Sequence, residues 1–196
     1  MNDGRGRPRD VDIDHRVLDI ARRHLAQHGY EAMSLVAIAD EAGTTRQALY
    51  RRWPSKADLA TAAIEAMARA DERQPSDDPF ADLVAELEAF RNGVSRPDGL
   101  SMVGTMLNSA TDPELVALYR QRVVARRRAR LRKILERARD SGLLDADADA
   151  DLDIALAMLT GNWYARALAG DPPPRRWPYR TAALVWRALG GQPPPP

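Results

Sequence analysis

Thr44, Thr45, Arg46, Gln47, Tyr50 and Arg51 crowd into eight positions and carry donors and acceptors suited to base edges and phosphates. Little else in the chain is arranged for chemistry. There is no cysteine, which excludes disulfides, thiolate metal sites and a cysteine nucleophile. His24 and His28 stand four residues apart and could share a metal, but His15 is the only other histidine and no third ligand is in view. They read instead as the semi-buried end of a helix. The acidic run 145–153 suggests a calcium loop, which needs glycine at its sixth position and glutamate at its twelfth. Counting from Asp145 gives Ala150 and Leu156, so the match fails, and the run reads as the acidic N-terminus of a helix. No Ser-His-Asp arrangement, glycine-rich phosphate loop or metal triad appears. No catalytic residue, cofactor or metal is therefore expected, and the chain does not read as an enzyme.

The six polar residues need a rigid platform. Ser34 offers an N-cap for a short helix, Leu35 to Ala42, closed by Gly43. Thr44 or Thr45 caps the next, which runs to Trp53 before Pro54 and Ser55 break it. Two short helices meeting steeply need a small residue where they nearly touch, a glycine where the turn demands positive φ, and a large apolar residue to close the core. Ala39, Gly43 and Leu49 stand at those places, which is the logic of a helix-turn-helix.

The rest is helical in pattern. Sustained period-2 alternation is absent, and Ala, Leu, Arg and Glu dominate. The spacing predicts helices over 11–28, 55–72, 80–93, 98–110, 113–141, 149–169 and 178–189, giving an all-α fold of about nine helices. The division expected is a flexible basic arm at 1–10, a helix-turn-helix head at 11–58, a larger helical body at 59–190 and a disordered tail at 191–196. With 44% hydrophobic and 29% charged residues the chain can bury a substantial core. Net charge is only +1, but the cations are clustered. No run approaches the about 18 apolar residues of a membrane span, and the Arg-rich start has no apolar signal region, so no membrane partner and a cytoplasmic location are expected.

The stretch Gly29 to Leu59, "GYEAMSLVAIADEAGTTRQALYRRWPSKADL", resembles the N-terminal domain of TetR-type bacterial transcriptional regulators. The Gly-Tyr pair, the Gly-Thr-Thr turn, the Leu-Tyr pair and the "WPSK" ending fall in order at the family's spacing. Arg52-Trp53 stands where many members carry His-Phe. The resemblance implies a homodimer on double-stranded DNA at a palindromic operator, released by a small-molecule effector bound in the body, most often as a repressor. By position it implies that Arg46, Gln47 and Tyr50 face bases or phosphates, that Tyr50 and Trp53 support docking, and that Ser34 and Lys56 hold phosphates. An architectural DNA-binding protein without effector, and a helical enzyme with a vestigial head, are the alternatives.

The arm adds Arg5 and Arg7 in "GRGRPR", which resembles an AT-hook core that slides arginine into a narrow minor groove. The helices 149–169 and 178–189 are apolar nearly all round and need cover on two sides, own core and partner chain. Leu156, Leu159, Leu184, Val185 and Trp186 are therefore assigned to a dimer interface. Met102, Met106, Leu107, Asn162 and Trp163 are candidate linings of the effector pocket.

The most basic stretch, 119–139, holds ten Arg or Lys residues and one acid. On a helical wheel Val116, Val124, Leu131, Ile134, Leu135 and Ala138 make one apolar stripe. Arg122, Arg126, Arg130, Lys133 and Arg137 lie away from it, a solvated face able to pair with the acidic segment that follows. Arg120 and Arg127 fall on the stripe, where a lone cation is costly. They either pair with an acid or face a pocket for an anionic ligand, and both join the ligand-site candidates.

Overall fold

The computed structural model describes residues 11–70, 72–96, 112–145 and 151–195. The arm with Arg5 and Arg7, and the expected helix 98–110 with Met102, Met106 and Leu107, lie outside them. All regular structure among the described residues is helical. The chain divides into two compact units, Met1–Ala66 with Pro97–Tyr119, and Met67–Arg96 with Arg120–Pro196.

The first unit is built on α1 (Val11–Ala32), whose Val17, Ile20, Ala21 and Leu25 form one buried stripe at helical spacing. The expected stop at Gly29 is a break at φ 74°, after which one more turn reaches Ala32. That turn buries Tyr30, with Met33 just beyond it. Three helices follow: α2 (Leu35–Ala42), α3 (Arg46–Arg52) and α4 (Lys56–Ala70). Ile38, Ala39, Leu49, Leu59 and Ala60 close the core beneath them. The short α6 (Pro113–Tyr119) adds Leu115, fully buried in that core, although the sequence reading assigns the segment to the body. Asp112 caps it, accepting from the Glu114 N–H at 2.9 Å.

In the second unit α5 (Pro79–Val94), α7 (Ala125–Asp140), α8 (Leu152–Leu168) and α9 (Trp177–Ala188) share one core. Leu83, Leu87 and Phe90 of α5 meet Leu131 and Leu135 of α7, Leu156, Leu159 and Trp163 of α8, and Val185 and Trp186 of α9. Each fully buried leucine contributes about 1.5–3 kcal/mol relative to exposure.

Between α6 and α7, Arg120–Val124 forms a π-helical turn. The wider turn inserts an extra residue and rotates everything before it off the 3.6-residue stripe. Leu115 and Val123 are therefore buried where Val116 and Val124 were expected, and these two are only half-buried.

The tail expected to be disordered follows a defined path through residue 195. Gly191 is buried, its N–H bonds the Trp186 carbonyl at 2.9 Å, and the Tyr179 hydroxyl donates to the Pro194 carbonyl. A Cβ at Gly191 would lie 2.4 Å from the Trp186 ring, so only glycine permits this approach.

Candidate nucleic-acid interface and ligand site

Local capping fixes the helix-turn-helix. Ser34 Oγ accepts from the Ala37 N–H at 3.3 Å, and Thr45 Oγ1 from the Ala48 N–H at 3.1 Å. Gly43 takes the left-handed conformation at φ 69°, while the Thr44 N–H bonds the Ala39 carbonyl at 2.9 Å. Ala39 and Leu49, each 2% exposed, sit in the core where the two helices cross. Arg16 reaches the Ala42 carbonyl at 3.3 Å. Arg23 and His24 both engage Glu41, at 2.7 and 3.2 Å, which ties α1 to α2. Hydrogen bonding from His24 holds the Glu41 carboxyl below the usual carboxylate range. His24 and His28 meet edge-to-face, with ring centres 5.7 Å apart. No group of three metal-ligating side chains occurs among the described residues.

With Ala48 and Leu49 turned inward, α3 and its cap expose Thr45, Arg46, Gln47, Tyr50 and Arg51 together, and Thr44 is half-buried beside them. The Arg46 guanidinium lies 5.3 Å from the centre of the Tyr50 ring and donates to the Tyr50 hydroxyl at 3.3 Å. That stacking holds both side chains extended on one face. Trp53 is half-buried against the head core and its N–H caps α3 through the Leu49 carbonyl at 2.8 Å.

Two cations of the cluster 46–56 have internal work. Arg52 pairs with Asp14 of α1. Lys56 donates to the Glu31 carbonyl at 2.7 Å and lies 4.5 Å above the Tyr30 ring, so one of its three donors is engaged and two remain for a phosphate. Tyr30 donates to Asp112 at 2.6 Å, and Ser55 to Glu114 at 2.9 Å. Sequence reasoning missed these last two bonds, since their partners are 82 and 59 residues apart.

In the body the expected ligand residues separate. Arg127 and Trp163 both contact Phe90, the first with its guanidinium 5.0 Å from the ring centre, the second at 6.4 Å between centres. Trp177 joins them, 5.2 Å from Trp163 and 5.9 Å from Phe90. Neither Phe90 nor Trp177 was singled out in the sequence, where Trp177 falls just before the expected helix 178–189. Asn162 instead lines a groove on the outer face of α8 and α9 with Met158 and Leu184, and accepts from the Trp177 N–H at 2.6 Å. Arg120, expected on the apolar stripe beside Arg127, is exposed, because the π turn breaks their seven-residue relationship.

The dimer assignment needs correction on the same ground. Leu156, Leu159, Val185 and Trp186 are at most 2% exposed within the single chain, so they have no surface to offer a partner. Leu184 is 58% exposed, and Ile154 and Met158 stand out beside it at 61% and 42%.

The solvated arginines mostly find acids on other elements, not in the segment that follows them. Arg126 and Arg130 share Glu72, Arg130 also holds Glu86 at 2.9 Å, and Arg137 pairs with Asp82 at 3.0 Å. Arg128 and Arg132 do reach Asp153. This basic helix is therefore largely neutralised within its own unit.

The family model described as "Bacterial regulatory proteins, tetR family" matches residues 17–63, and "Tetracyclin repressor-like, C-terminal domain" matches residues 73–185. The HTH-type transcriptional regulator Mb1581 of Mycobacterium bovis is 27% identical over 135 residues, covering 69% of this chain and 65% of its own length, just under two thirds. YdeS of Bacillus subtilis, another HTH-type transcriptional regulator, is 26% identical over 147 residues, 74% of this chain and 73% of its own. Among solved structures, the TetR family transcription regulator SCO0332 superposes with a TM-score of 0.70 at 30% identity, over 93% of this chain and all of that one. A TetR transcriptional regulator of Agrobacterium tumefaciens gives the same TM-score at 21% identity, over 91% and 93% of the two chains, a likeness of fold.

Proposed function

The chain belongs to the TetR family of DNA-binding transcriptional regulators, and from that premise we propose that it is a repressor released from a palindromic operator by a small-molecule effector. The observation that carries the reading is the outer face of α3. Arg46, Gln47 and Tyr50 project from a seven-residue helix that is capped at Thr45 and pinned to the core through Leu49. Such a helix is stiff enough to present donors to base edges in a major groove. Ser34 and Lys56 flank it for the backbone phosphates, and the arm with Arg5 and Arg7 extends the contact into the adjacent minor groove.

The protein acts as a homodimer in this reading. The two-fold face is the outer side of α8 and α9, around Ile154, Met158 and Leu184, where large apolar groups stand exposed beside Gly161 and Ala165. The site of action is the cytoplasm, where the operator is. The effector binds in the body, at the end of the core marked by Phe90, Arg127 and Trp163.

Footprinting on the DNA upstream of its own gene tests the reading. A protected palindrome, with affinity at least a hundredfold above that for scrambled DNA, is expected for a regulator. Sequence-indifferent coating would instead make the protein architectural.

A further inference from the structure

Two polar groups in the body are left incompletely served, and they share one neighbour. Arg127 is half-buried on α7 with its guanidinium over the Phe90 ring. No carboxylate pairs with it among the described residues, whereas Arg126 and Arg137 on the same helix each hold one and Arg130 holds two. Trp163 is 6% exposed, and its indole N–H is buried without an acceptor among the described residues. Phe90 and Trp177 pack against it edge-to-face and offer rings, not oxygen atoms. Trp177 differs, since Asn162 takes its N–H.

Each condition is unfavourable alone. A ring face returns only part of the hydration a guanidinium gives up, and a buried N–H without an acceptor keeps its desolvation penalty. A fold that merely needed to be stable would pair or remove such groups. Here they persist around a single phenyl ring, which Tyr164 and Trp177 also contact, with ring centres 5.6 and 5.9 Å away.

We propose that Arg127 and Trp163 are the two polar ends of the effector subsite, and that the effector is a planar aromatic carboxylate. Its carboxylate pairs with the Arg127 fork, whose planar donors match it bidentately. Its ring lies against the cluster around Phe90. An oxygen at the far end, a ring hydroxyl or carbonyl, accepts the Trp163 N–H. A neutral aromatic would leave the cation unpaired, and an aliphatic acid would leave the rings without a stacking partner. The inference rests on the regulator reading of the preceding section and adds the chemical class of the signal.

The test uses the full-length protein and one- and two-ring aromatic carboxylates, some bearing a ring hydroxyl, with their methyl esters and alicyclic acids as controls. Indole fluorescence and thermal shift report binding, and anisotropy of a labelled operator duplex reports release. At least one hydroxylated aromatic acid should bind and release the operator, with its ester weaker by about tenfold or more. Arg127→Met should abolish the preference for acid over ester, and Arg127→Lys should restore part of it. Trp163→Phe keeps a ring but removes the donor, and should weaken the hydroxylated acid about fivefold or more while leaving its hydroxyl-free parent unchanged. Circular dichroism checks that each variant is folded. A protein that binds its operator but ignores every aromatic acid overturns the ligand class and leaves the regulator reading standing. Unaltered acid binding by Arg127→Met, or unaltered discrimination by Trp163→Phe, overturns it equally, the latter meaning that only water serves the indole. Failure to bind any operator is a failure of the regulator reading itself.

Discussion

The Tyr30 hydroxyl donates a 2.6 Å hydrogen bond to Oδ2 of Asp112, and the other oxygen of that carboxylate caps α6. The bond joins the turn after Gly29 to the entry of α6, and Ser55 repeats the link two residues on through Glu114. Lys56, over the Tyr30 ring, ties the start of α4 into the same cluster. Lys56 thus shares the Tyr30 ring with the cap of α6, within the first unit.

Tyr30→Phe should lower stability by about 1–2 kcal/mol, because the lost bond ends on a charged acceptor. Asp112→Ala should be worse, since it also removes the α6 cap. Each kcal/mol corresponds to a melting shift of about 2–4 °C in a chain of this size. The effect depends on pH with a definite sign. The Tyr30 hydrogen bond, first among its causes, holds the Asp112 carboxyl below its ordinary value, so its contribution is present above about pH 3.9 and is lost as pH falls through the depressed value. Burial, then Asp112, pushes the Tyr30 phenol up, so its contribution is full below about pH 10 and is lost as pH rises through the raised value. The melting difference between wild type and Tyr30→Phe should therefore be broad and flat near neutrality and narrow at both extremes. A difference that does not change with pH would mean the two groups are not coupled.

Arg46 and Lys56 should fail in different ways. Arg46→Ala removes the exposed fork held extended by Tyr50, and should cost operator binding about 1–3 kcal/mol while relaxing specificity at one base pair. Lys56→Met should weaken binding to all sequences alike and reduce the salt slope by about 1. Lys56 also closes the end of α1 through the Glu31 carbonyl, so its loss should lower the melting temperature as well. A melting change with an undiminished salt slope would leave Lys56 a purely internal role.

Two glycines separate conformational strain from collision. Nothing lies within 4 Å of a Cβ built on Gly43, so Gly43→Ala should cost only the left-handed backbone term, about 1 kcal/mol, and Gly43→Asn less. A Cβ on Gly191 would meet the Trp186 ring at 2.4 Å and a Leu144 methyl at 2.7 Å. Gly191→Ala should cost about 1–3 kcal/mol and release the tail, seen as faster amide exchange at residues 191 and 192, the last two N–H groups before the prolines. Equal effects at the two sites would contradict this division.

The head was legible because its determinants are local. Ser34, Gly43, Thr45 and Leu49 each act within a few residues, and caps, turn and core residue fell where their spacing placed them. What escaped depends on distant partners or on one inserted residue. Nothing in the sequence at 120–124 announces the π turn, and it moved Arg120 into solvent while Arg127 stayed half-buried. Leu115 belongs to the head core through contacts formed across the fold. Apolarity all round α8 could not tell which side meets the molecule's own core.

That last distinction can be tested directly. Leu156 and Leu159 face inward, whereas Ile154, Met158 and Leu184 stand on the outer face of α8 and α9. In a two-fold dimer the same patch meets its own copy, so one substitution alters the interface twice. Leu184→Asp should give a monomer by sedimentation at micromolar concentration, because each protomer would bury a carboxylate against apolar groups. Its operator affinity should fall steeply, since half-sites would then be bound one at a time. Leu156→Ala should instead lower the melting temperature by a cavity cost of about 2–5 kcal/mol. Its protomers should stay associated at temperatures where they are folded. A Leu184→Asp protein that remains dimeric would move the interface to another face of the body.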